Sequence, residues 1–304
     1  MEANLCVNIG KLKLKNPVMV ASGTFGYAEE FKSFLDLKGL GAIVTKTITL
    51  QSRQGNPPPR TCETPSGMLN SIGLENPGVE RFIEDKLPQL VKIGAPIIVS
   101  IASEGNPEEF LKLTRRLENI SEIKALELNI SCPNLRNKSL ISQDAEATYC
   151  VVKGVRKASK KTIITKLSPN VTDITEIAAA AESAGSDAIS LVNTLAGMSI
   201  NTETKLPKIA SVTGGLSGPA IRPVALRMVW EVYQKIKLPI IGMGGIIDTP
   251  SAVEFFLAGA SCISIGTANF INPGITAEIT SGLKKYLKKN KIKDIKSLVG
   301  SLKI

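Results

Sequence analysis

The stretch Glu127-Leu128-Asn129-Ile130-Ser131-Cys132-Pro133-Asn134 decides the fold prediction. It continues an apolar run, so residues 125–130 are predicted to form a strand. Pro133 ends this strand, because proline cannot donate to a sheet and favours an extended conformation in the residue before it. Cys132 therefore lies just past a strand's carboxyl end, between two asparagines. In parallel α/β folds that position carries the chemistry. The alternative is a small buried cysteine without a chemical role.

Seven further short apolar runs, rich in β-branched residues, predict strands in the rest of the chain. With the first they are Val18–Ala21, Ala42–Lys46, Ile97–Ile101, Ala125–Ile130, Thr162–Leu167, Ala188–Val192, Ile240–Met243 and Cys262–Ile265. The segments after them have helical periodicity. These segments are Glu29–Leu37, Val79–Val91, Pro107–Leu117, Ala145–Ala158, Ile174–Ala184, Ala220–Ile236, Ser251–Ala258 and Ile275–Leu287. Eight strands each followed by a helix predict an α/β protein of the (β/α)8 TIM barrel class. We expect one domain spanning residues 1–304.

A small hairpin and two long loops are predicted in addition to the barrel. Leu5–Val7 and Leu12–Leu14 alternate apolar and polar residues around Gly10, which predicts a small N-terminal β-hairpin. Ile48–Gly78 and Thr194–Gly218 are long loops that follow strands, so we expect them to lie over the C-terminal face of the barrel. A doubly wound open sheet is the competing architecture, but the turn after the first strand lacks the Gly-x-Gly-x-x-Gly spacing.

The composition favours a globular protein without a membrane or nucleic-acid partner. Hydrophobic residues make up 43% and charged residues 21% of the 304 residues, and no apolar run reaches the roughly 20 residues of a membrane span. With no signal sequence evident, we expect a cytoplasmic location. Of the formal charge of +10, residues 284–304 carry +7, so the remainder is nearly balanced. A lysine-rich terminal helix is usually a solvated face.

Cysteine and histidine usage limits the possible chemistry. The five cysteines are scattered and form no Cys-x-x-Cys pair, so we predict no disulfide framework and no metal site in this chain. The chain contains no histidine. This excludes a histidine general base and a Ser-His-Asp triad, and leaves proton transfer to Cys, Lys, Tyr, Asp or Glu.

Polar residues and glycines follow the predicted strands, and in a barrel all of them meet at one face. Lys46 and Lys166 end apolar strands, where packing alone rarely explains a lysine. The glycines 244–245 and 266 match the phosphate-binding turns that recur after the last two strands of such barrels. Together with Cys132, they favour flavin mononucleotide (FMN) as cofactor. Pyridoxal phosphate on one of the lysines is the main rival, but it would leave Cys132 without a role.

Several longer motifs make a specific resemblance. They are Lys-Asn-Pro-Val-Met-Val-Ala-Ser-Gly-Thr-Phe-Gly (15–26), Asn-Pro-Pro-Pro-Arg (56–60), Gly-Met-Leu-Asn-Ser-Ile-Gly-Leu-Glu-Asn-Pro-Gly (67–78), Glu-Leu-Asn-Ile-Ser-Cys-Pro-Asn (127–134), Lys-Leu-Ser-Pro-Asn-Val-Thr-Asp (166–173), Thr-Gly-Gly-Leu-Ser-Gly-Pro-Ala (213–220) and Gly-Met-Gly-Gly-Ile (242–246). In this order the chain resembles the dihydroorotate dehydrogenases. It is most similar to their class 1B catalytic subunits, which use NAD, and we expect no N-terminal membrane-binding extension of the class 2 type.

The resemblance implies oxidation of dihydroorotate to orotate in pyrimidine biosynthesis, with FMN in this chain. It also implies a homodimer within a heterotetramer, whose partner subunit carries FAD and a [2Fe–2S] cluster and passes electrons to NAD. Cys132 would be the general base at C5 of dihydroorotate. The residues implied to bind substrate are Lys46, Asn70, Ser71, Ile72, Gly73, Leu74, Asn129, Asn134, Asn193 and Thr194. Those implied to bind FMN are Ser22, Lys46, Thr47, Ser100, Asn129, Lys166, Val192, Gly218, Gly244, Gly245, Gly266 and Thr267.

Two departures from the family pattern and three alternative functions accompany this resemblance. Ser100 stands where the family usually has asparagine, and residues 135–141 replace a glycine-rich segment. The alternatives are fumarate-linked activity of the class 1A type, FMN-dependent reduction of a uracil base in tRNA, as in dihydrouridine synthases, and an inactive barrel that serves in an assembly.

Overall fold

A computed structural model describes residues 3–103, 106–131 and 141–304. The strands, in chain order, are β1 (Val7–Ile9), β2 (Leu12–Leu14), β3 (Val18–Val20), β4 (Ala42–Val44), β5 (Thr61–Thr64), β6 (Gly67–Asn70), β7 (Ile97–Ile101), β8 (Ile123–Asn129), β9 (Thr162–Lys166), β10 (Ala188–Leu191), β11 (Leu195–Met198), β12 (Ile200–Asn201), β13 (Leu206–Pro207), β14 (Thr213–Ser217), β15 (Ile240–Gly242) and β16 (Cys262–Ile265). The α-helices are α1 (Val79–Arg81), α2 (Leu87–Ile93), α3 (Glu108–Glu118), α4 (Ala145–Ala158), α5 (Ile174–Ser183), α6 (Arg222–Lys235), α7 (Thr249–Ala258), α8 (Ala268–Ile271) and α9 (Ile275–Lys289).

Eight parallel strands close into a barrel in the order β3, β4, β7, β8, β9, β10, β15 and β16. The last strand pairs with the first, with Ile263 opposite Val18 and Ile265 opposite Val20. Apart from Lys124, every residue of these strands is buried. Such strands are covered on both faces, which is why they consist of nearly continuous apolar runs. The predicted (β/α)8 barrel is confirmed.

Short polar side chains fix where several of the outer helices begin. Asp144, Asp173 and Asp248 each accept a hydrogen bond from a backbone N–H in the first turn of α4, α5 and α7. These bonds satisfy backbone donors that a helix start otherwise leaves unpaired. Gly94, in the left-handed conformation, ends α2. The caps therefore set the lengths of the helices that surround the strands.

The first strand-to-helix connection differs from the prediction. Glu29–Leu37 was expected to form a helix, whereas the structure has two short 3₁₀ turns, Glu29–Phe31 and Leu37–Gly39. Ala28, which precedes the first turn, is left-handed and supplies no side-chain cap. The only aspartate cap in the segment, Asp36, begins the second turn instead. Without an N-terminal cap, so short a segment gains too little to stay helical, and this prediction was wrong.

The two long loops contain strands that the sequence did not predict. They form a four-stranded antiparallel sheet in the order β11, β14, β6, β5. The pairing of β6 with β14 joins the two loops, with Asn70 opposite Gly215 and Leu69 opposite Leu216. A second antiparallel pair, β12 and β13, lies within the loop after β10. The loop after β4 and the loop after β10 are therefore held to each other by a shared sheet.

The N-terminal hairpin and the segment after α9 pack against the barrel. The predicted N-terminal hairpin is present, but its first strand is Val7–Ile9, two residues later than expected, and Gly10 at the turn has a φ of 53°. Near the other end, the Asn4 amide donates to Asp294 at 2.8 Å. Ile295 and Leu298 are buried, so the segment that follows α9 packs on the body of the protein. In the described ranges, no helix is long and apolar enough to cross a membrane.

Candidate active site

The predicted site residues that the structure describes lie mostly just past the barrel strands. Because the strands are parallel, their carboxyl ends meet at one face. The positions at or after these ends are Ser22 for β3, Lys46 and Thr47 for β4, Asn129 for β8, Lys166 for β9, Val192, Asn193 and Thr194 for β10, Gly244 and Gly245 for β15, and Gly266 and Thr267 for β16. Cys132 and Asn134 lie outside the described residues.

Buried and half-buried amides and hydroxyls from four strand ends form a hydrogen-bonded cluster. The Thr47 and Ser100 hydroxyl oxygens are 2.9 Å apart, and Asn129 Nδ2 donates to Thr47 Oγ1 at 3.1 Å. On its other side, Asn129 Oδ1 accepts from Ser131 Oγ at 3.2 Å. Asn193 Nδ2 donates to Ser131 Oγ at 3.0 Å. The structure thus brings together four predicted site residues from distant parts of the chain: Thr47, Ser100, Asn129 and Asn193.

A buried ion pair lies beside this cluster. Lys166 Nζ is 3.9 Å from Glu127 Oε1, and the two residues are only 5% and 2% exposed. Lys166 also lies 3.5 Å from Ser22 Oγ. A buried lysine needs a partner of opposite charge, so Glu127 accounts for a cation at this depth. Sequence reasoning missed Glu127, although an acid inside an apolar strand is itself a signal of a buried partner.

Lys46 is a second cation at the same face, held by its backbone. Its N–H donates to the Gly26 carbonyl at 2.8 Å. Burial lowers the pKa of the Lys46 ammonium, and the nearby Glu75 carboxylate opposes this by raising it. Desolvation disfavours the charged form of a lysine. Lys46 is therefore easier to deprotonate than a lysine on the surface.

The segment from Asn70 to Leu74 is fixed by its neighbours. Asn70 Nδ2 donates to the Gly215 carbonyl at 3.2 Å, and a Cβ on Gly215 would collide with the Thr194 side chain. The Asn56 amide donates to both Ser71 oxygens, at 3.1 and 2.9 Å. Asn70 and Thr194, two predicted site residues, therefore meet at the sheet that joins the long loops.

The turns after β14, β15 and β16 lie against one another. Gly218 and Gly245 have φ angles of 93° and 75°, and a Cβ on Gly245 would lie 2.9 Å from the Gly218 carbonyl oxygen. Thr267 Oγ1 donates to Ser217 Oγ at 2.7 Å. Around Gly266, by contrast, the only described neighbour of a Cβ is a methyl group 3.8 Å away. The structure thus brings these predicted glycine turns together.

The remaining predicted residues differ in how they are held. Val192 is buried, and its N–H donates to the Met243 carbonyl at 3.0 Å, which joins the ends of β10 and β15. Ile72 and Leu74 are half-buried, and Leu74 has a φ of 57°. Ser100 is fully buried and faces Thr47 and Glu127. Ser100 therefore links Thr47 to Glu127 within the cluster.

Comparison with known proteins assigns the family. The family model described as dihydroorotate dehydrogenase matches residues 4–287. The chain is 50% identical to the protein of Bacteroides thetaiotaomicron named dihydroorotate dehydrogenase B (NAD(+)), catalytic subunit, over 99% of this chain and all of that protein. Proteins of the same name from Trichlorobacter lovleyi and Geobacter sulfurreducens are 51% and 49% identical, each with 99% of both chains covered. This chain therefore belongs to the dihydroorotate dehydrogenase family.

Proposed function

We propose that this chain is the catalytic subunit of an NAD-linked dihydroorotate dehydrogenase, which oxidises dihydroorotate to orotate in pyrimidine biosynthesis. The observation that carries the proposal is its similarity, over nearly the whole chain, to catalytic subunits of that name. The strand-end cluster supports it, because Asn129 and Asn193 offer paired donors and acceptors of the kind that the substrate's C=O and N–H groups require.

The residues present fit FMN as the cofactor. Gly245 leaves no room for a side chain, whereas the space beside Gly266 is open, and glycine turns let backbone N–H groups face a phosphate. Lys166 supplies a buried positive charge suited to the negative charge of a reduced flavin. When bound, FMN supplies the acceptor for the hydride from C6 of dihydroorotate. We assign to FMN binding Ser22, Lys46, Thr47, Ser100, Asn129, Lys166, Val192, Gly218, Gly244, Gly245, Gly266 and Thr267.

The substrate is proposed to bind between the amide cluster and the loop that contains Asn70. We assign to substrate binding Lys46, Asn70, Ser71, Ile72, Gly73, Leu74, Asn129, Asn134, Asn193 and Thr194. Cys132 is the general base that removes the C5 proton, the role implied by its motif. Since the chain has no histidine, a cysteine thiolate is a reasonable base near neutral pH, provided that its surroundings favour the thiolate.

A partner subunit completes the proposed enzyme. The relatives are named catalytic subunits, which supports the existence of a second subunit. We propose that this subunit carries FAD and a [2Fe–2S] cluster and passes electrons to NAD, and that two copies of this chain form the core of a heterotetramer. Co-expression with a candidate partner should yield a complex that contains iron and reduces NAD with dihydroorotate, whereas this chain alone should not reduce NAD.

The decisive test uses the colour of the purified protein. It should be yellow, and the flavin absorbance should bleach when dihydroorotate is added without oxygen. A colourless protein that also fails to bind added FMN would overturn the assignment of the cofactor. A yellow protein that dihydroorotate leaves unbleached would overturn the assignment of the substrate.

The role of Cys132 is tested by the same bleaching reaction. Cys132→Ser should slow it by about 10²-fold or more, the scale of losing a general base. Cys150→Ser is the matched control, because Cys150 is an exposed free cysteine on α4 and should react at the wild-type rate. Equal rates for the two variants would remove Cys132 from the mechanism.

A further inference from the structure

The buried carboxylate of Glu127, on β8, accepts hydrogen bonds from serines on two other barrel strands, β7 and β10. Ser100 Oγ donates to Oε1 at 3.2 Å, and Ser190 Oγ donates to Oε2 at 3.1 Å. The ammonium of Lys166 lies 3.9 Å from Oε1. A carboxylate beside an ammonium group is an acceptor only. Each serine must therefore turn its single proton toward Glu127.

The direction of the Ser100 proton also determines the direction of the next hydrogen bonds, from Ser100 to Thr47 and Asn129. Since the Ser100 proton points to Glu127, Ser100 Oγ must accept from Thr47 Oγ1, 2.9 Å away. The hydroxyl proton of Thr47 is therefore used in the hydrogen bond to Ser100 Oγ. Thr47 Oγ1 can only accept, and it does so from Asn129 Nδ2 at 3.1 Å. The NH₂ end of the Asn129 amide is thus directed at Thr47.

The opposite end of the Asn129 amide is fixed in consequence. With the NH₂ group at Thr47, Oδ1 faces Ser131 Oγ at 3.2 Å and Asn193 Nδ2 at 3.4 Å. Asn193 Oδ1 in turn accepts from the Thr194 N–H at 2.8 Å. Asn193 Nδ2 also donates to the Ser131 carbonyl at 3.2 Å, so backbone groups fix the Asn193 amide from its own side. Without an acceptor-only group at the Ser100 end, the Ser100 and Thr47 hydroxyls could donate to each other in either direction.

We propose that Glu127 is a positioning residue that sets the direction of this hydrogen-bond chain. Through Ser100 and Thr47 it holds the Asn129 amide in the orientation that Asn193, which backbone groups fix, requires. The inference rests on the proposed function, in which these amides bind a pyrimidine ring. A ring whose C=O and N–H groups alternate binds well to one arrangement and poorly to the reverse, because mismatched buried polar groups stay unpaired.

A narrower role for Glu127 makes a different prediction. If Glu127 acted only as the counter-charge of Lys166, loss of the Ser100 hydroxyl would matter no more than loss of the Ser190 hydroxyl. Both serines donate to the same carboxylate, but only Ser100 leads to Thr47 and Asn129. Ser190→Ala is therefore the matched control for Ser100→Ala, since each removes one hydroxyl from Glu127.

The experiment measures the dissociation constant of orotate from the change that it causes in the flavin absorbance of FMN-loaded protein. Ser100→Ala and Glu127→Gln are each expected to weaken orotate binding about tenfold, the scale of one buried hydrogen bond left unpaired. Ser190→Ala should stay within about twofold of wild type. The double variant Glu127→Gln/Ser100→Ala should bind no more weakly than either single variant, because both act through one chain. The FMN dissociation constant and the melting temperature, measured on each variant, separate this effect from loss of cofactor or fold.

Several outcomes would overturn the proposal. A double variant about a hundredfold weaker than wild type, the product of two independent losses, would show that Ser100 and Glu127 act separately. Equal losses in Ser100→Ala and Ser190→Ala would reduce Glu127 to a counter-charge. If Glu127→Gln fails to fold, Ser100→Ala still tests the proposal. Orotate affinity at the wild-type level in Ser100→Ala would refute the proposed role of the hydrogen-bond chain. Wild-type protein that binds FMN but shows no response to orotate would instead overturn the proposed function, and the inference with it.

Discussion

Replacing Gly245 by alanine tests whether the glycine turns after β14 and β15 form one rigid unit. Gly245 has a φ of 75°, where an alanine costs about 1–2 kcal/mol. Its Cβ would also lie 2.7 Å from Arg222 Cβ and 2.9 Å from the Gly218 carbonyl oxygen. Because both distances are shorter than real Cβ contacts, the turns must shift, at a cost of about 1–3 kcal/mol. The expected loss of unfolding free energy is therefore about 2–5 kcal/mol.

This loss converts into a measurable fall in melting temperature. An unfolding entropy of about 2.1 cal/mol/K per residue, over 304 residues, gives a decrease of about 3–8 °C for Gly245→Ala in the apoprotein. Gly94→Ala is the matched control. Gly94 has a similar φ of 79° but open space around a Cβ, so only the backbone term applies, and the decrease should be about 2–3 °C.

Calorimetry of the apoproteins and a fluorescence titration with FMN complete the comparison. Gly245→Ala should weaken FMN binding, because the turn that is proposed to hold the phosphate has moved. Gly94→Ala, at the end of α2, should bind FMN as wild type does. Equal melting temperatures for the two variants, or unchanged FMN affinity in Gly245→Ala, would refute the reasoning.

Three further variants test other parts of the site and fold. Folding lowers the pKa of Lys46 from its ordinary value of 10.5 and so disfavours its charged form. Lys46→Met should therefore raise the unfolding free energy at pH 7, and this gain should shrink as the pH rises toward 10.5. A gain in urea unfolding that is the same at pH 7 and at pH 10.5 would contradict this. Asp187→Ala should lower the unfolding free energy by about 2–3 kcal/mol in the same assay, because Asp187 Oδ2 accepts from Arg156 at 2.9 Å and from the Ile163 N–H at 2.8 Å; a loss below about 0.5 kcal/mol would show the pair to be a surface contact. Gly266→Ala should leave the apoprotein's melting temperature unchanged, since the added methyl meets open space, and should weaken FMN binding in a fluorescence titration; wild-type affinity would place the phosphate elsewhere.

The barrel was predictable because its strands carry their signal locally. Ile97–Ile101 and Cys262–Ile265 have the bounds that the apolar runs predicted. The sheet formed by the long loops gave no such signal. The strand Thr213–Ser217 contains two glycines and no β-branched residue beyond its first threonine, so its strand conformation comes from its distant partners rather than from local preference. The helix predicted at Glu29–Leu37 does not form, because Ala28 supplies no side-chain N-terminal cap.

The polar part of the site was predictable only in outline. Placing Thr47, Asn129 and Asn193 near one another required only a count of strands, since parallel strand ends converge. As an acid inside an apolar strand, Glu127 signals a buried partner, but the sequence does not show that its hydrogen-bond partners are Ser100 and Ser190, on other strands. A linear pattern carries no information about which buried hydroxyl meets which carboxylate, so the direction of the hydrogen bonds emerges only in three dimensions.

The sheet that ties the two long loops together has a consequence for how the chain reaches its native state. Asn70 and Gly215 are 145 residues apart, and the barrel strands β7 to β10 lie between them in the sequence. Contacts between such distant segments form slowly, because the entropy of closing a long loop must be lost first. We therefore expect the sheet of the long loops to form after neighbouring barrel strands have paired. A chain interrupted between β6 and β14 during synthesis would lack this sheet and the last two barrel strands, β15 and β16.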